Sequence, residues 1–332
     1  MPFSASATRL VATYAVVMLL SPFPASAWSN RGHRLINQAA ADTLPADMPA
    51  FMRSPQAIAE ISYLGPEPDR WRPETAPDLS KSSSPDHVFR YEAAVAASPL
   101  PRQRYEYLKR LDALRQQHPD LSAQLTGTLP WQVEEIYQRL VSDFVVYRIV
   151  TGDVPAYRGA DMVPLTKADL PYIQNAAIFY AGWLGHYVAD GSMPLHTTVN
   201  SAGWVEKSNP NNYTTKGSIH HDYEVVTDQA IEDDKVTAKA IESQMKPAHL
   251  VPDSFAESLL YLRAEGRFAP QVYDFEKAGA LTGGGTPALD TFTSARMAEG
   301  AAMLRDLIYS AWVQSKEAKA PTLPLTVVLE PR

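Results

Sequence analysis

Apolar residues recur at helical spacing through most of this chain, and no stretch alternates convincingly as a strand would. Seven segments place apolar side chains three and four residues apart, which aligns them on one helix face. These segments are residues 31–44, 102–117, 131–151, 168–191, 218–245, 253–267 and 289–319. Such helices bury their apolar faces against one another. The sequence therefore predicts an all-α fold, arranged as a single-domain multi-helix bundle.

The first residues have the composition of a secretory signal peptide. Arg9 precedes an apolar run over residues 10–20, and small residues at 25–27 match a cleavage site. The apolar run is much shorter than the roughly 20 residues that a membrane-spanning helix needs. We expect a periplasmic or secreted protein without a membrane anchor. Its expected parts are a signal peptide over residues 1–27, a catalytic domain over residues 28–320 and a C-terminal tail over residues 321–332.

The composition restricts the chemistry that an exported protein of this kind can use. The chain has no cysteine, so a metal must be held by histidine, carboxylate or main-chain groups, and disulfides are excluded. A formal net charge of -7 argues against a general electrostatic attraction to polyanions. A local cationic pocket or a group of bound metal ions is compatible with this charge.

Two pairs of side chains that can bind metal occur four residues apart on predicted helices. His186 and Asp190 form the first pair, and His220 and Glu224 form the second. Side chains at this spacing project from one helix face, and helical bundles build interior metal sites from such pairs. His221 is the alternative to His220, because it lies three residues from Glu224. The two pairs predict a metal site inside the bundle.

Further candidate ligands surround these pairs. A glycine and a proline end the first helix after Asp190, so that His196 can return toward the same point. Residues 64–85 are rich in proline and predict an extended loop, and a loop of this length is often functional. Asp69 lies in this loop and His87 follows it, and both offer atoms that zinc binds. Their convergence predicts a zinc site.

The residues after the expected cleavage site complete an ordered set of motifs. Trp28 comes first, a Gly-His pair ends at His33, and Asp69 is followed at the third position by Arg72. The loop residue His87, an H-x3-D-x5-H motif and an H-x3-E motif come next. Together these motifs resemble the superfamily of zinc-dependent phospholipases C and single-strand-specific zinc nucleases.

This resemblance implies an all-α fold around three zinc ions. The main-chain amine and carbonyl of Trp28 and the side chain of His33 would bind one ion, and Asp69 would bridge it to a second. A free amine binds metal only when it is deprotonated, which a nearby zinc ion promotes. The other implied ligands are His87, His186 and Asp190 for the second ion, and His196, His220 and Glu224 for the remaining positions.

A cluster of zinc ions in an acidic protein suits a phosphate ester as the substrate. Zinc lowers the pKa of water from about 15.7 toward ~7, which provides a nucleophile without a serine or cysteine. Asp69 and Arg72 are the expected catalytic residues, with the planar guanidinium of Arg72 placed to hold the phosphate. We expect hydrolysis of a phosphodiester bond without a covalent intermediate. The other interpretation of Arg72 is a solvated loop residue.

Two classes of phosphodiester remain open. Arg72 and the short spacing between Trp28 and His33 favour the nuclease branch, acting on single-stranded nucleic acid or a nucleotide. Glu224, in place of the aspartate usual in that branch, favours a phospholipase C acting on a phospholipid head group. The nuclease or nucleotidase is the preferred hypothesis and the phospholipase C is the alternative. The oligomeric state is left open.

Other interpretations concern a second loop and two different protein classes. Residues 197–217 carry Trp204 and Tyr213, whose rings could stack on an unpaired base, contact a lipid interface or pack on their own domain. A non-catalytic periplasmic zinc-binding protein could use the same ligands, but it would not need an open coordination position. A helical phosphohydrolase built on a His-Asp dipeptide would have His221-Asp222 as its candidate, and would leave Trp28 and His33 unexplained.

Overall fold

The computed structural model describes residues 28–72, 75–118, 121–155, 165–317 and 322–330. Within these residues the regular secondary structure is almost entirely helical, which confirms the predicted all-α fold. The expected signal peptide, residues 1–27, lies outside the described residues. The same holds for the ends of the expected tail, residues 321 and 331–332.

The described elements follow in chain order. The helices are α1 Asn30–Asp42, α2 Pro55–Leu64, α3 Glu67–Arg70, α4 Pro77–Ser83, α5 Tyr91–Ala94, α6 Arg104–Leu114, α7 Ala123–Thr126, α8 Leu129–Thr151, α9 Leu170–Ser192, α10 Ile219–Glu232, α11 Ala238–Glu242, α12 Ser254–Gly266, α13 Ala269–Lys277 and α14 Pro287–Gln314. Turns of 3-10 helix cover Ala50–Arg53, Ser84–His87, Val95–Ala97, Lys167–Asp169 and Pro194–Thr197. The strands β1 Leu100–Pro101 and β2 Thr326–Val327 pair antiparallel.

Helix α9 occupies the centre of the molecule. It packs against α1, α2, α8 and α14, and every residue over 184–192 is buried. This C-terminal part of α9 is buried on all sides, so its polar side chains face other protein groups rather than water. None of the described helices is both long enough and apolar enough to cross a membrane.

Residues 218–245 form two helices, whereas their periodicity predicts one. Helix α10 ends before Asp234, which adopts a left-handed conformation with φ of 56°. A residue in this conformation after a helix is a common way to end it. The apolar pattern continues because Val236 and Ile241, beyond the break, are also buried in the core. The prediction of one continuous helix was therefore wrong.

Proline-rich stretches contain short helices that the sequence interpretation missed. Residues 64–85 are predicted as an extended loop, but they include α3 and α4, with Pro68 and Pro77 in the first turns. Pro55 likewise begins α2, which was not predicted. Proline is tolerated in the first turn of a helix, because the amide hydrogen it lacks has no intrahelical partner there.

The described part of the tail packs on the helical body. β2 pairs with β1, and each strand has only two residues, too few for the alternation that indicates a strand in a sequence. Leu329 is buried, and the Tyr91 hydroxyl donates a hydrogen bond of 2.8 Å to the carbonyl of Glu330. The tail therefore covers part of the surface near α5.

Candidate metal centre

Trp28 fixes the first described residue in the protein core. Its side chain is fully buried, and its indole Nε1 donates to the Ala189 carbonyl at 2.9 Å and to Ser192 Oγ at 2.8 Å. Its ring meets that of Tyr223 edge-on, with centroids 5.8 Å apart. These contacts attach residue 28 to α9 and α10 at the level of the candidate ligands. Binding of metal by its main-chain groups remains a prediction.

Five of the predicted ligands converge in the core, and we call them the inner group. They come from α1, α3, the Ser84–His87 turn and α9, and they are His33, Asp69, His87, His186 and Asp190. They form two triads in which the possible ligand atoms lie within 4.8 Å of one another. One triad is His33, Asp69 and His186, and the other is His87, His186 and Asp190. Such groups can hold metal ions.

Each carboxylate of the inner group lies between imidazoles, with its two oxygens near different rings. Asp190 Oδ1 lies 3.5 Å from His33 Nε2, whereas its Oδ2 lies 3.0 Å from His87 Nδ1. Asp69 repeats this arrangement at longer distances, with Oδ2 4.0 Å from His33 Nε2 and Oδ1 3.9 Å from His186 Nε2. Each carboxylate therefore has oxygen atoms that face different imidazoles. The resemblance implies that Asp69 would bridge two ions, and Asp190 has the same two-sided placement between imidazoles.

Main-chain carbonyls orient two of the imidazoles. His186 Nδ1 lies 2.8 Å from the Gly65 carbonyl, and His196 Nδ1 lies 2.6 Å from the His87 carbonyl. Because a carbonyl only accepts, each Nδ1 carries the proton and each Nε2 keeps its lone pair. Metal-binding histidines are held in this way. His196 Nε2 and both nitrogens of His33 are buried without a hydrogen-bond partner among the described residues.

The electrostatics of the imidazoles suit metal binding. Burial lowers the pKa of His87 to about 4, and it also lowers the pKa values of His33, His186 and His196. These side chains are therefore neutral at pH 7, which is the state that binds a cation. A fully buried cluster of neutral imidazoles with unpartnered nitrogens matches the chemistry of zinc ligands.

The two carboxylates of the inner group differ in their ionisation. Burial raises the pKa of Asp190 well above its usual value, although the nearby His186 opposes this effect. Burial opposes the ionisation of Asp69 too, but His186, His33, His87 and Arg72 together lower its pKa to about 2. A bound cation would compensate the cost of ionising Asp190, whose Oδ1 has no hydrogen-bond partner among the described residues.

The remaining predicted side-chain ligands, His196, His220 and Glu224, form a looser outer group. The rings of His196 and His220 meet edge-on with centroids 4.9 Å apart, and His196 Nδ1 lies 4.0 Å from Asp190 Oδ1. Glu224 is half-buried, and burial, followed by the charges of Asp69 and Asp228, raises its pKa to about 8. Among the described residues, neither close triad includes a member of the outer group.

The structure separates the two neighbouring histidines of α10. His220 is only 4% exposed and contacts His196, whereas His221 is exposed. This arrangement supports His220 as the ligand candidate. The His221-Asp222 dipeptide has its histidine on the solvent side of the helix, away from the buried cluster, which disfavours the alternative phosphohydrolase.

Arg72 lies beside the inner group rather than in solvent. Its side chain is 12% exposed, and Nη1 donates a long hydrogen bond of 3.4 Å to Asp69 Oδ1. Its Nε is buried without a hydrogen-bond partner among the described residues. A planar guanidinium with an available donor next to a metal cluster can bind a phosphate oxygen.

The loop aromatics pack mainly on their own domain. Tyr213 is 5% exposed and donates a hydrogen bond of 2.9 Å to Asp274 Oδ1. The Trp204 ring lies 4.9 Å from that of Tyr213 and 5.3 Å from that of Tyr273. Its Nε1 donates to the Ser208 carbonyl at 2.8 Å. These contacts favour internal packing over the other two interpretations.

Sequence reasoning missed several groups that shape the candidate centre. The carbonyls of Gly65 and His87 orient imidazoles, and main-chain carbonyls carry no side-chain motif that could reveal them. The ring of Tyr187 lies 5.1 Å from that of His186. Asn37 is also buried nearby, and its spacing of four residues from His33 is the one sequence feature that could have indicated it.

Comparisons with known proteins add little to this geometry. No protein-family model matches the chain, and no curated protein matches it. A crystal structure of Clostridium perfringens alpha-toxin from avian strain SWCP is similar at a TM-score of 0.41 and 14% identity. The match covers 89% of this chain and 66% of the toxin chain, so the chain spans just under two thirds of that protein. So distant a similarity carries no conclusion about activity.

Proposed function

We propose that this protein is a zinc-dependent phosphodiester hydrolase. The proposal depends on one observation: the ligand atoms of the inner group lie close together in the core, and the guanidinium of Arg72 lies beside them. Neutral imidazoles and carboxylates bind the metal, and the partly buried guanidinium beside them binds an anionic substrate. The ordered motifs that resemble the zinc phospholipase C and nuclease superfamily support the same function.

The proposal assigns three zinc ions to the candidate ligands. The inner group would hold two ions, with Asp69 and Asp190 each placed to be shared between them. The outer group and the main-chain groups of Trp28 would complete the set. Residue 28 has a free amine only after cleavage directly before it, so removal of a signal peptide and a periplasmic or secreted location belong to the proposal.

The residues around the proposed metal centre have distinct roles in phosphodiester hydrolysis. Zinc supplies Lewis acidity, which activates water and offsets negative charge on the phosphate. Arg72 holds a phosphate oxygen through its planar guanidinium, and Asp69 holds Arg72 in place through Nη1. The carbonyl of Gly65 fixes the ring of His186, so that Nε2 remains directed toward Asp190. Burial excludes bulk water and strengthens these electrostatic interactions.

Single-stranded nucleic acid or a nucleotide is the first substrate candidate. The position of Arg72, three residues after Asp69 and partly buried beside it, supports the nuclease branch. Glu224 supports the alternative, a phospholipase C. A non-catalytic zinc-binding protein would not need a partly buried guanidinium next to its ligands, so Arg72 disfavours that hypothesis.

Substrate hydrolysis by the zinc-loaded protein that begins at Trp28 tests the proposal. Single-stranded RNA, single-stranded DNA and phosphatidylcholine are incubated in separate reactions, with a chelator-treated sample as the control. We expect cleavage of nucleic acid only, and no cleavage after chelation. Cleavage of phosphatidylcholine only would establish the phospholipase alternative. Stoichiometric zinc without any hydrolysis would support the zinc-binding protein instead.

Substitution of Arg72 tests the role of its guanidinium. Arg72→Ala is expected to lower the hydrolysis rate about 100-fold with unchanged zinc content, because one electrostatic contact to the phosphate is lost. Arg72→Lys should recover only part of the rate, since an ammonium cannot form the planar contact. Arg70→Ala, which removes an exposed neighbour paired with Glu67, is the matched control. Equal rates for the Arg70 and Arg72 variants would refute the assignment.

A further inference from the structure

A single amide links three helices that surround the inner group. Asn37 lies on α1, four residues after His33, and its side chain is fully buried. Its Nδ2 donates to the Ile61 carbonyl on α2 at 2.9 Å and to the Gly182 carbonyl on α9 at 3.0 Å. Both hydrogens of the amide are therefore used to connect α1 with two other helices.

Two glycines allow these helices to approach the amide closely. A Cβ atom added at Gly185 would lie 2.1 Å from Asn37 Oδ1. A Cβ atom added at Gly65 would lie 2.7 Å from the His33 carbonyl oxygen and 3.1 Å from Asn37 Nδ2. These distances are shorter than van der Waals contact, so only glycine fits at these positions. A larger side chain at Gly65 or Gly185 would therefore collide with α1.

The contacts of Asn37 lead directly to His186. Ile61 lies in the last turn of α2, where carbonyls lack intrahelical donors, and Asn37 provides the donor. Just after that turn, the Gly65 carbonyl faces His186 Nδ1 at 2.8 Å. Gly182 lies four residues before His186, on the same side of α9. One amide thus fixes both the helix that carries His186 and the carbonyl that orients it.

We propose that Asn37 is a positioning residue for the metal centre. It holds His33, on its own helix, against His186, whose ring stacks on that of His33 with centroids 4.2 Å apart and an interplanar angle of 18°. Loss of its two donors would let α1 and α9 shift relative to each other. This inference rests on the proposed metal-dependent function, and it adds a residue that touches neither metal nor substrate.

Asn37→Asp is the sharpest test, because it keeps the shape of the side chain and removes at least one donor: an ionised carboxylate has none, and a protonated carboxyl has one. The new carboxylate oxygen would face two carbonyl oxygens. A protonated carboxyl leaves the charge unchanged, and an ionised one would attract a cation to the nearby cluster, so a loss of zinc affinity could not result from charge. Asn37→Ala removes both donors without adding charge, and it shows whether the two variants agree.

Zinc affinity and apo-protein stability are measured together for these variants. Leu111→Ala is the control, since it truncates a buried side chain on α6, whose main contacts are with β1 and the Val95–Ala97 turn. We expect the Asn37 variants to bind zinc about tenfold more weakly, with an altered absorption spectrum of the cobalt-substituted protein. Leu111→Ala should lower the melting temperature but leave zinc affinity and that spectrum unchanged.

Two different failures can be told apart in this design. If the unmodified protein binds no zinc, the proposed metal centre itself is wrong. If it binds zinc and the Asn37 variants bind equally well with the same cobalt spectrum, Asn37 is only a structural residue and the inference is overturned. The inference also fails if zinc affinity follows the melting temperature identically for Asn37→Ala and Leu111→Ala.

Discussion

The inner and outer groups use the same types of side chain, but the structure holds them to different degrees. The inner group combines four elements in the buried core, and its atoms already form close triads. The outer group includes the half-buried Glu224 and forms no close triad among the described residues. In the proposed function, we therefore expect the inner group to bind metal with little rearrangement and the outer group to adjust its geometry on binding.

The packing around each group explains the difference. Two of the inner-group side chains lie on helix α9, which packs against four other helices, and one of them, His186, is also held by the Gly65 carbonyl. The outer group depends on a long loop between Thr197 and the start of α10, and in the proposed function also on the free main-chain groups of Trp28. Fewer contacts hold a side chain near such a loop than one in the middle of a helical core.

Asp190→Asn should have the largest effect on zinc content and hydrolysis, because the oxygens of Asp190 lie near both His33 and His87. We expect loss of zinc from both inner positions and hydrolysis at the background rate. A carboxyl whose folded-state pKa is raised stabilises the fold below its unfolded pKa and loses that contribution as the pH rises through the folded value. Asparagine has no such loss, so the metal-free variant should be more stable at pH 7.

Elemental analysis, a hydrolysis assay and thermal melting of the metal-free protein check the Asp190 prediction. Retained hydrolysis would contradict the central place of Asp190 in the inner group. A lower melting temperature of the metal-free variant at pH 7 would show that the carboxylate stabilises the fold even without metal, contrary to its raised pKa.

His220→Ala tests whether the outer group can be lost alone. We expect zinc content to fall by one ion, from the proposed three to two, and the rate to fall about 100-fold, because one electrostatic contribution to the transition state is removed. The zinc content is measured by elemental analysis after dialysis. If all the zinc is lost together, the two groups form one cooperative unit and the proposed distinction is incorrect.

Glu224 should make zinc binding to the outer group depend on pH. Its pKa of about 8 means that it is protonated at pH 7 in the metal-free protein, and zinc must displace that proton. Zinc affinity should therefore rise with pH up to about 8 and level off above it. Calorimetric titration at several pH values measures this dependence, and Glu224→Gln should abolish it. Equal affinities for the unmodified protein at pH 7 and above 8 would contradict this prediction.

The same carboxyl gives the metal-free protein a predictable stability profile. A raised folded-state pKa stabilises the fold below the unfolded value near 4.5, and this contribution disappears as the pH rises to about 8. Glu224→Gln should remove that part of the pH dependence, which thermal melting at several pH values can measure. Identical profiles for the variant and the unmodified protein would place Glu224 in a more solvated environment.

His221→Ala should have the smallest effect and is the matched control for His220→Ala. His221 is exposed on α10, and surface substitutions usually change stability by no more than about 0.5 kcal/mol. Zinc content and hydrolysis should therefore match those of the unmodified protein. Loss of one zinc ion in this variant would reverse the choice between the two histidines.

Local sequence patterns predict much of the helical content but not all of its boundaries. Long periodic segments such as α8 and α9 were identified from side-chain spacing alone. The break at Asp234 escaped prediction, because buried residues continue on both sides of it. The short helices within residues 64–85 were not predicted for another reason. A proline in the first turn of a helix cannot be distinguished by sequence from a proline in a loop.

The candidate ligands are also only partly determined by sequence. Pairs such as His186 and Asp190 were identified because four-residue spacing on a helix places both side chains on one face. Asn37 was not identified, because its partners are carbonyls on two other helices. No spacing within α1 indicates which main-chain groups will lie opposite it.

The sequence by itself determined the helical class, the absence of cysteine ligands and the local pairs of metal-binding side chains. These properties depend on residue type and on spacing within a single helix. Only the tertiary structure decided that His33, His87 and Asp190, which lie far apart along the chain, meet in one buried cluster. It also decided which carbonyls orient the imidazoles, because those positions depend on how closely separate helices can pack.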